Sequence, residues 1–260
     1  MADEVLEARV AVTRIGRDAP VRVLLHGFGS NSGTFQNLLP FLRGKGSLVL
    51  VDLPGHGRSG VPDYDPSPDK MAVAVAEALS PLRLDSFQLV GHSLGAMVAT
   101  HVAAALAPQV SRLSLISCAG VGPELNLSFF RAFLSAAAAE DLLPQLAAAY
   151  GTPPEDLSKI GRGIFAWLEK PGVRAWLGKV VESAPSFSAE IASAIAKDIP
   201  VYALWGAQDV ITPVGNARSL PHEVALDILS GAGHVPHMEA PAEVARWVLT
   251  GSPLAQGSPG

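Results

Sequence analysis

Six short runs dominated by Val, Leu and Ile, at residues 21–25, 48–51, 87–90, 113–116, 201–205 and 224–229, set the frame of this chain. Most close on a Gly or Asp within a residue or two, a length that suits strands better than helices. They lack the regular alternation of a half-exposed strand, so they read as strands covered on both faces, with helix-like segments between several of them. Strands and helices in that order make an α/β fold, a mostly parallel central sheet flanked by helices. Residues 7–13 differ. They alternate apolar and polar side chains, as an edge strand with one wet face does, and are expected to open the sheet.

The strand rhythm stops after 116 and resumes at 201. The residues between read as helical, broken by Pro123, Pro153, Pro154, Pro171 and Pro185, and are expected to form an inserted helical cap. The expected division is an α/β core from 1–122 and 198–250, a cap from 123–197, and a disordered Gly/Pro/Ser-rich tail from 251–260. Eight aromatic residues fall in the insertion: Phe129, Phe130, Phe133, Tyr150, Phe165, Trp167, Trp176 and Phe187. They are suited to packing it onto the body.

Composition excludes several classes. With 48% hydrophobic and 17% charged residues, the chain has the apolar excess of a globular core rather than of a disordered or coiled-coil protein. Its net charge of -5 provides no basic footprint for nucleic acid or an anionic membrane, so neither is expected as a partner. The single cysteine, Cys118, cannot form an internal disulfide. The N-terminus is acidic where a secretory signal would be basic, and a cytoplasmic location is expected. The Ala-rich stretch 136–149 is interrupted by Glu140, Asp141 and Pro144, short of the roughly 20 apolar residues that span a bilayer.

The strongest local signal is Gly91-His92-Ser93-Leu94-Gly95, placed after the run 87–90 and before a small-residue helix at 96–105. In that setting the glycines permit a tight strained turn while the serine hydroxyl stands out at the carboxyl edge of the sheet, a nucleophile elbow. A serine hydroxyl is a poor nucleophile near neutral pH and needs a base, and the base needs an orienting acid. The order Ser, acid, His leaves His222, His234 and His237. His234 follows the run 224–229 in a Gly231-Ala232-Gly233 loop and can reach the edge that carries Ser93. His237 suits a supporting or surface role, and His222 belongs at the opposite edge. Asp209, after the run 201–205, is the expected acid, with Asp227 as the alternative. The expected oxyanion donors are the backbone N–H groups of Leu94 and of Phe28 in His26-Gly27-Phe28-Gly29. His26, Gly27, Phe129, Phe133, Trp167 and Val235 are the expected substrate-pocket residues. No metal or organic cofactor is expected.

These motifs, together with Asp52-Leu53-Pro54-Gly55-His56-Gly57-Arg58-Ser59, Trp205-Gly206 before Asp209 and Pro213, and Gly233-His234 before Glu239 and Pro241, resemble the α/β-hydrolase superfamily over essentially the whole chain. The resemblance implies a Ser93, Asp209, His234 triad beneath a helical cap. Ala119-Gly120-Val121-Gly122-Pro123-Glu124 and Gly231-Ala232-Gly233-His234 are similar to the hydrolase module of acetoin dehydrogenase E2-type acyltransferases. Such proteins often carry an N-terminal lipoyl domain, and here the hydrolase signature begins almost at once, so the module without a lipoyl domain is expected. Asp52 to Ser59 is expected to act as a structural turn beside the site.

The function these features imply is a serine carboxylesterase acting on short- to medium-chain, small-molecule esters. The alternative is a carbon–carbon bond hydrolase for a ring-fission diketone, whose carboxylate substrates need a cationic clamp such as Arg131, Arg162 or Arg174. Dehalogenase and epoxide hydrolase chemistries need a carboxylate nucleophile where Ser93 stands. A dinucleotide-binding reading rests on Gly27, Gly29 and Gly33 with Asp52, but the spacing is one residue too long. A non-catalytic hydrolase-like binding module would normally lack one of the three triad residues.

Overall fold

A computed structural model describes residues 10–251. The strands are β1 (Val12–Ile15), β2 (Val21–Leu25), β3 (Ser47–Val51), β4 (Phe87–His92), β5 (Val110–Ile116), β6 (Val201–Gly206) and β7 (Ala225–Leu229). They form one sheet in the order β1-β3-β2-β4-β5-β6-β7. β1 is antiparallel to β3, and every other pair is parallel. The helices are α1 (Leu39–Leu42), α2 (Pro68–Leu79), α3 (Leu94–Ala105), α4 (Leu127–Ser135), α5 (Leu143–Ala148), α6 (Ser158–Leu168), α7 (Val173–Ser183), α8 (Ile191–Ile195), α9 (Pro236–Glu239) and α10 (Pro241–Thr250). None is long and apolar enough to cross a membrane among the described residues.

Successive residues of a strand point to opposite faces, and this divides the core in two. Val23, Leu25, Val49, Val51, Leu89, Leu113, Leu115, Ala203 and Trp205 pack on one face with α2 and α3. Leu24, Leu48, Leu50, Val90, Ile116 and Leu204 pack on the other with Leu42 of α1 and Val244, Trp247 and Val248 of α10. Each fully buried Leu, Ile or Val contributes about 1.5–3 kcal/mol, so the central strands anchor everything carried at their ends.

Two expectations are corrected. The edge strand lies at Val12–Ile15 rather than 7–13, because residue-for-residue pairing with β3 runs from Val12 opposite Val51 to Ile15 opposite Leu48; residues 7–9 lie outside the described residues. The run 224–229 is not covered on both faces. β7 ends the sheet, nothing among the described residues pairs beyond it, and Leu226 and Ile228 are 41% and 52% exposed. The expected tail falls outside the described residues except for Gly251, which closes α10 in a left-handed conformation at φ 63°.

Between β5 and β6 the described chain is helical, α4 to α8. Its aromatic residues meet the body in several places. Trp176 donates its indole N–H to the Pro54 carbonyl at 3.2 Å, and Phe28 meets Phe130 and Phe133 edge-on at 5.0 and 5.9 Å between ring centres.

Candidate active site

The turn after β4 is fixed by what cannot fit there. A Cβ on Gly95 would be driven into the carbonyl oxygens of Leu25 and His26, and one on Gly91 into the backbone of Gly95 and Ala96. With strand and helix this close, Ser93 is forced to φ 52°, ψ −117°, a conformation that costs a non-glycine residue of order 1–3 kcal/mol. Its N–H donates to Ile116 O at 2.9 Å, and its carbonyl accepts from Ala96 N–H at 3.0 Å. Leu94 opens α3, so its N–H is among those a helix leaves without an internal acceptor.

The loop after β2 passes directly beside this turn. A Cβ on Gly27 would lie 2.8 Å from His92 Nδ1 and 3.1 Å from Ser93 Cβ, so only glycine allows the approach. His26 is fully buried and braces the loop: its Nε2 accepts from Leu53 N–H at 3.0 Å, and its Nδ1–H therefore donates to Gly27 O at 2.7 Å. Asp52 holds the neighbouring turn, accepting from Ser32 N–H at 2.7 Å and from the N–H and Nε–H of Arg58 at 3.1 and 3.0 Å.

The third and fourth pieces come from the ends of β6 and β7. Asp209 Oδ1 accepts from Ile211 and Thr212 N–H, each at 2.9 Å, and Oδ2 accepts from the Thr212 hydroxyl at 2.9 Å and from His234 Nδ1–H at 2.8 Å. Burial alone would raise the Asp209 pKa. The imidazole of His234, its hydrogen bond and the two backbone donors outweigh that and hold the carboxyl below its ordinary value. With Nδ1 donating to Asp209, the Nε2 of His234 is the nitrogen left with a lone pair. The main chain of His234 is held as well: its N–H donates to Ala149 O at 2.8 Å, and its carbonyl accepts from His92 Nε2–H at 2.7 Å.

Ser93 and His234 line one cavity of about 440 Å³ together with Phe28, Phe129, Phe133 and Val235. Ser93, Leu94 and Phe28 also border a narrower cavity of about 40 Å³, whose other walls include Met97, Val180 and Phe187. The serine thus stands where a small apolar space meets a larger one. Three of the expected pocket residues line neither cavity. His26 is sealed behind the loop it braces, Gly27 is backed against Ser93, and Trp167 stacks on His56 at 5.5 Å between ring centres. Asp227 accepts from the Trp247 indole at 3.0 Å and does not reach His234's carboxylate partner position. His222 is exposed. His237 is not on the surface: it is fully buried, its ring 4.5 Å from that of His92, with Nε2 against the Thr34 hydroxyl at 3.0 Å. Arg131, Arg162 and Arg174 line neither cavity.

Sequence reasoning passed over Thr212 and Ala149, and it placed Glu239 in the motif after Gly233-His234 without giving it a role. Thr212 lies three residues after Asp209, a spacing at which a carboxylate often caps its own turn, so that signal was present. Nothing local marks Ala149, whose partner His234 lies far along the chain, and the motif that contains Glu239 reveals its bond to Gly233 but not those to Gly151 and Thr152.

Comparison with known proteins follows the same lines. The chain is 31% identical over 237 residues to the dihydrolipoyllysine-residue acetyltransferase component of the acetoin cleaving system of Pseudomonas putida, covering 87% of this chain and 62% of that protein. It thus spans less than two thirds of that relative's length. It is 32% identical over 242 residues to the pimeloyl-[acyl-carrier protein] methyl ester esterase of Chromobacterium violaceum, covering 84% of this chain and 89% of that one. A meta-cleavage product hydrolase from Pseudomonas fluorescens shares the fold with a TM-score of 0.81 at 16% identity, over 92% of each chain. Residues 23–247 match the alpha/beta hydrolase family, and with relatives that include esterases and lipases the chain belongs to that family of hydrolases.

Proposed function

We propose that this protein is a serine carboxylesterase acting on short- to medium-chain esters through an acyl-enzyme. The observation that carries this reading is the shared cavity: Ser93 on its strained turn and His234, already bonded to Asp209 at 2.8 Å, border one space. Ser93 Oγ attacks the ester carbonyl carbon as its proton passes to His234 Nε2. The resulting oxyanion is met by the N–H groups of Phe28 and Leu94. Collapse breaks the bond to the alcohol oxygen, which takes the proton from the imidazolium. Water then attacks the acyl-enzyme by the same route and releases the carboxylic acid. Asp209 keeps His234 in the tautomer this requires and stabilises its charged form.

The cavities support a limit on substrate size. The narrow one admits a short hydrocarbon, and the larger one a group of moderate length, both bounded mainly by apolar walls where burial favours hydrocarbon. Residues 123–197 act as the cap over this site and 1–122 with 198–250 as the core. Phe129 and Phe133 of α4 and Ile160 of α6 support that division by lining the larger cavity. Of the cations that could clamp a carboxylate for the carbon–carbon alternative, none of the three cap arginines borders the site, whereas Lys159 of α6 lines the larger cavity, so the substrate panel decides between the two readings.

The test is a panel of p-nitrophenyl esters from acetate to octanoate, with one vinylogous diketone included. Turnover of the shorter esters is expected, and Ser93→Ala should lower it by about 10⁶-fold while leaving the fold intact. Full activity in Ser93→Ala, or turnover of the diketone alone, would overturn the assignment.

A further inference from the structure

The loop that carries His234 is bolted to the inserted helices by one carboxylate. Glu239, at the end of α9, accepts with Oε1 from Gly233 N–H at 2.8 Å. Its Oε2 accepts from Gly151 N–H at 2.8 Å and Thr152 N–H at 3.2 Å. The two oxygens therefore hold the residue before His234 to the segment after α5. Beside this bridge, His234 N–H donates to Ala149 O at 2.8 Å. The two segments press together without side chains: a Cβ on Gly233 would lie 2.6 Å from Gly151 N, and one on Gly151 would be driven into Gly231 O. Ala149 and Tyr150 also line the larger cavity. One stretch, 149–152, thus touches the space a substrate fills and grips the main chain of the base.

We propose that Glu239 is a positioning residue that sets His234 through the inserted helices, so that the base is aligned only when segment 149–152 is seated. This rests on His234 being the general base, as in the function proposed above. A carboxylate is required because three N–H donors converge on it, and neither oxygen can be replaced by a donor. Asp at 239 would be a methylene too short to span both segments, and Gln would offer its NH2 to one set of N–H groups. Displacing a base by about 1 Å can cost about 10²-fold in rate, so the loss is expected in kcat with KM little changed.

The experiment compares wild type, Glu239→Gln and Glu239→Ala by three measurements. The first is the proton NMR resonance of the His234 Nδ1–H bonded to Asp209, which needs no substrate. The second is the rate of Ser93 labelling by a fluorophosphonate, with kcat and KM for p-nitrophenyl acetate expressed per labelled site. The third is rescue of Glu239→Ala by added formate, a small carboxylate that can accept the freed N–H groups. The expected result is a lost or shifted imidazole proton in both variants. Labelling and kcat should be 10–100-fold slower per folded site, and formate should recover part of the loss where chloride does not. A proton signal like wild type, together with unchanged per-site rates, would overturn the proposal and leave Glu239 a matter of stability alone. Should Glu239→Ala fail to fold, Glu239→Gln carries the same readings. Should wild type hydrolyse no ester, the function assignment falls while the NMR comparison still decides on Glu239.

Discussion

The turn bearing Ser93 and the loop bearing His234 meet at one cavity but are secured in opposite ways. The turn is held mainly by close-packed backbone: Gly91 and Gly95 let β4, α3 and the end of β2 touch, and Ser93 N–H donates to Ile116 O at the end of β5. The loop has little of its own to hold it. Its N–H groups go to Ala149 and Glu239, its carbonyl to His92 and its imidazole to Asp209. A nucleophile can be built into local backbone strain because its task is to protrude. A base must be placed relative to that nucleophile and is set from several directions.

If this contrast is right, damage on the histidine side should cost activity while the fold survives, and damage to the glycine packing of the turn should cost both. Apart from loss of the nucleophile itself, the largest effect is expected from Asp209→Asn, which keeps the shape but no longer fixes the His234 tautomer: about 10⁴-fold lower kcat. Circular dichroism and kcat measured side by side would show it, and a comparable loss of folded protein would break the distinction. Gly95→Ala comes next, with about 3 kcal/mol of stability lost as backbone is forced from backbone. Urea unfolding would reveal this, and a stable but inactive Gly95→Ala would show that the turn is less self-sufficient than argued.

Acid should loosen both sides. Burial, the main cause, lowers His26 from 6.5 to about 4 and His56 and His237 to about 3, and it holds His92 well below 6.5. Between pH 6.5 and these values the unfolded chain binds protons that the folded chain refuses. Stability is therefore full above about pH 6.5 and falls as pH drops, by up to about 1.4 kcal/mol per pH unit for each histidine. Urea unfolding at pH 7 and pH 5 measures the slope, which His56→Asn should flatten. The smallest effect is expected from Thr212→Val, which removes one of four hydrogen bonds to Asp209 and keeps its backbone donors. A loss of about 1 kcal/mol, roughly fivefold in kcat, is expected; a loss near that of Asp209→Asn would mean that the hydroxyl, and not the carboxylate alone, sets the histidine.

Much of this architecture could be read along the chain. The apolar runs located the central strands because residues buried on both faces must be apolar at every position. The elbow was legible because strand, glycine, serine, glycine and helix lie together in sequence. β7 was misread because an apolar run does not reveal which strand ends the sheet, and β1 because a pattern of alternation does not fix its register with β3. His26 and Trp167 illustrate the same limit: each sits in a motif or segment beside the site, yet packing turned one behind the loop and the other onto His56.

The sequence by itself determined the succession of strands and helices, the strand-Gly-Ser-Gly-helix motif at Ser93 and the chemical types available at each strand end. These depend on interactions between residues close in the chain. Only the tertiary structure decided which walls enclose the serine, that a small and a larger cavity meet there, and that Glu239 joins the histidine loop to the inserted helices. Those features arise where distant backbone segments come within hydrogen-bond range, and no local pattern records which carbonyl or carboxylate will be waiting for a given N–H.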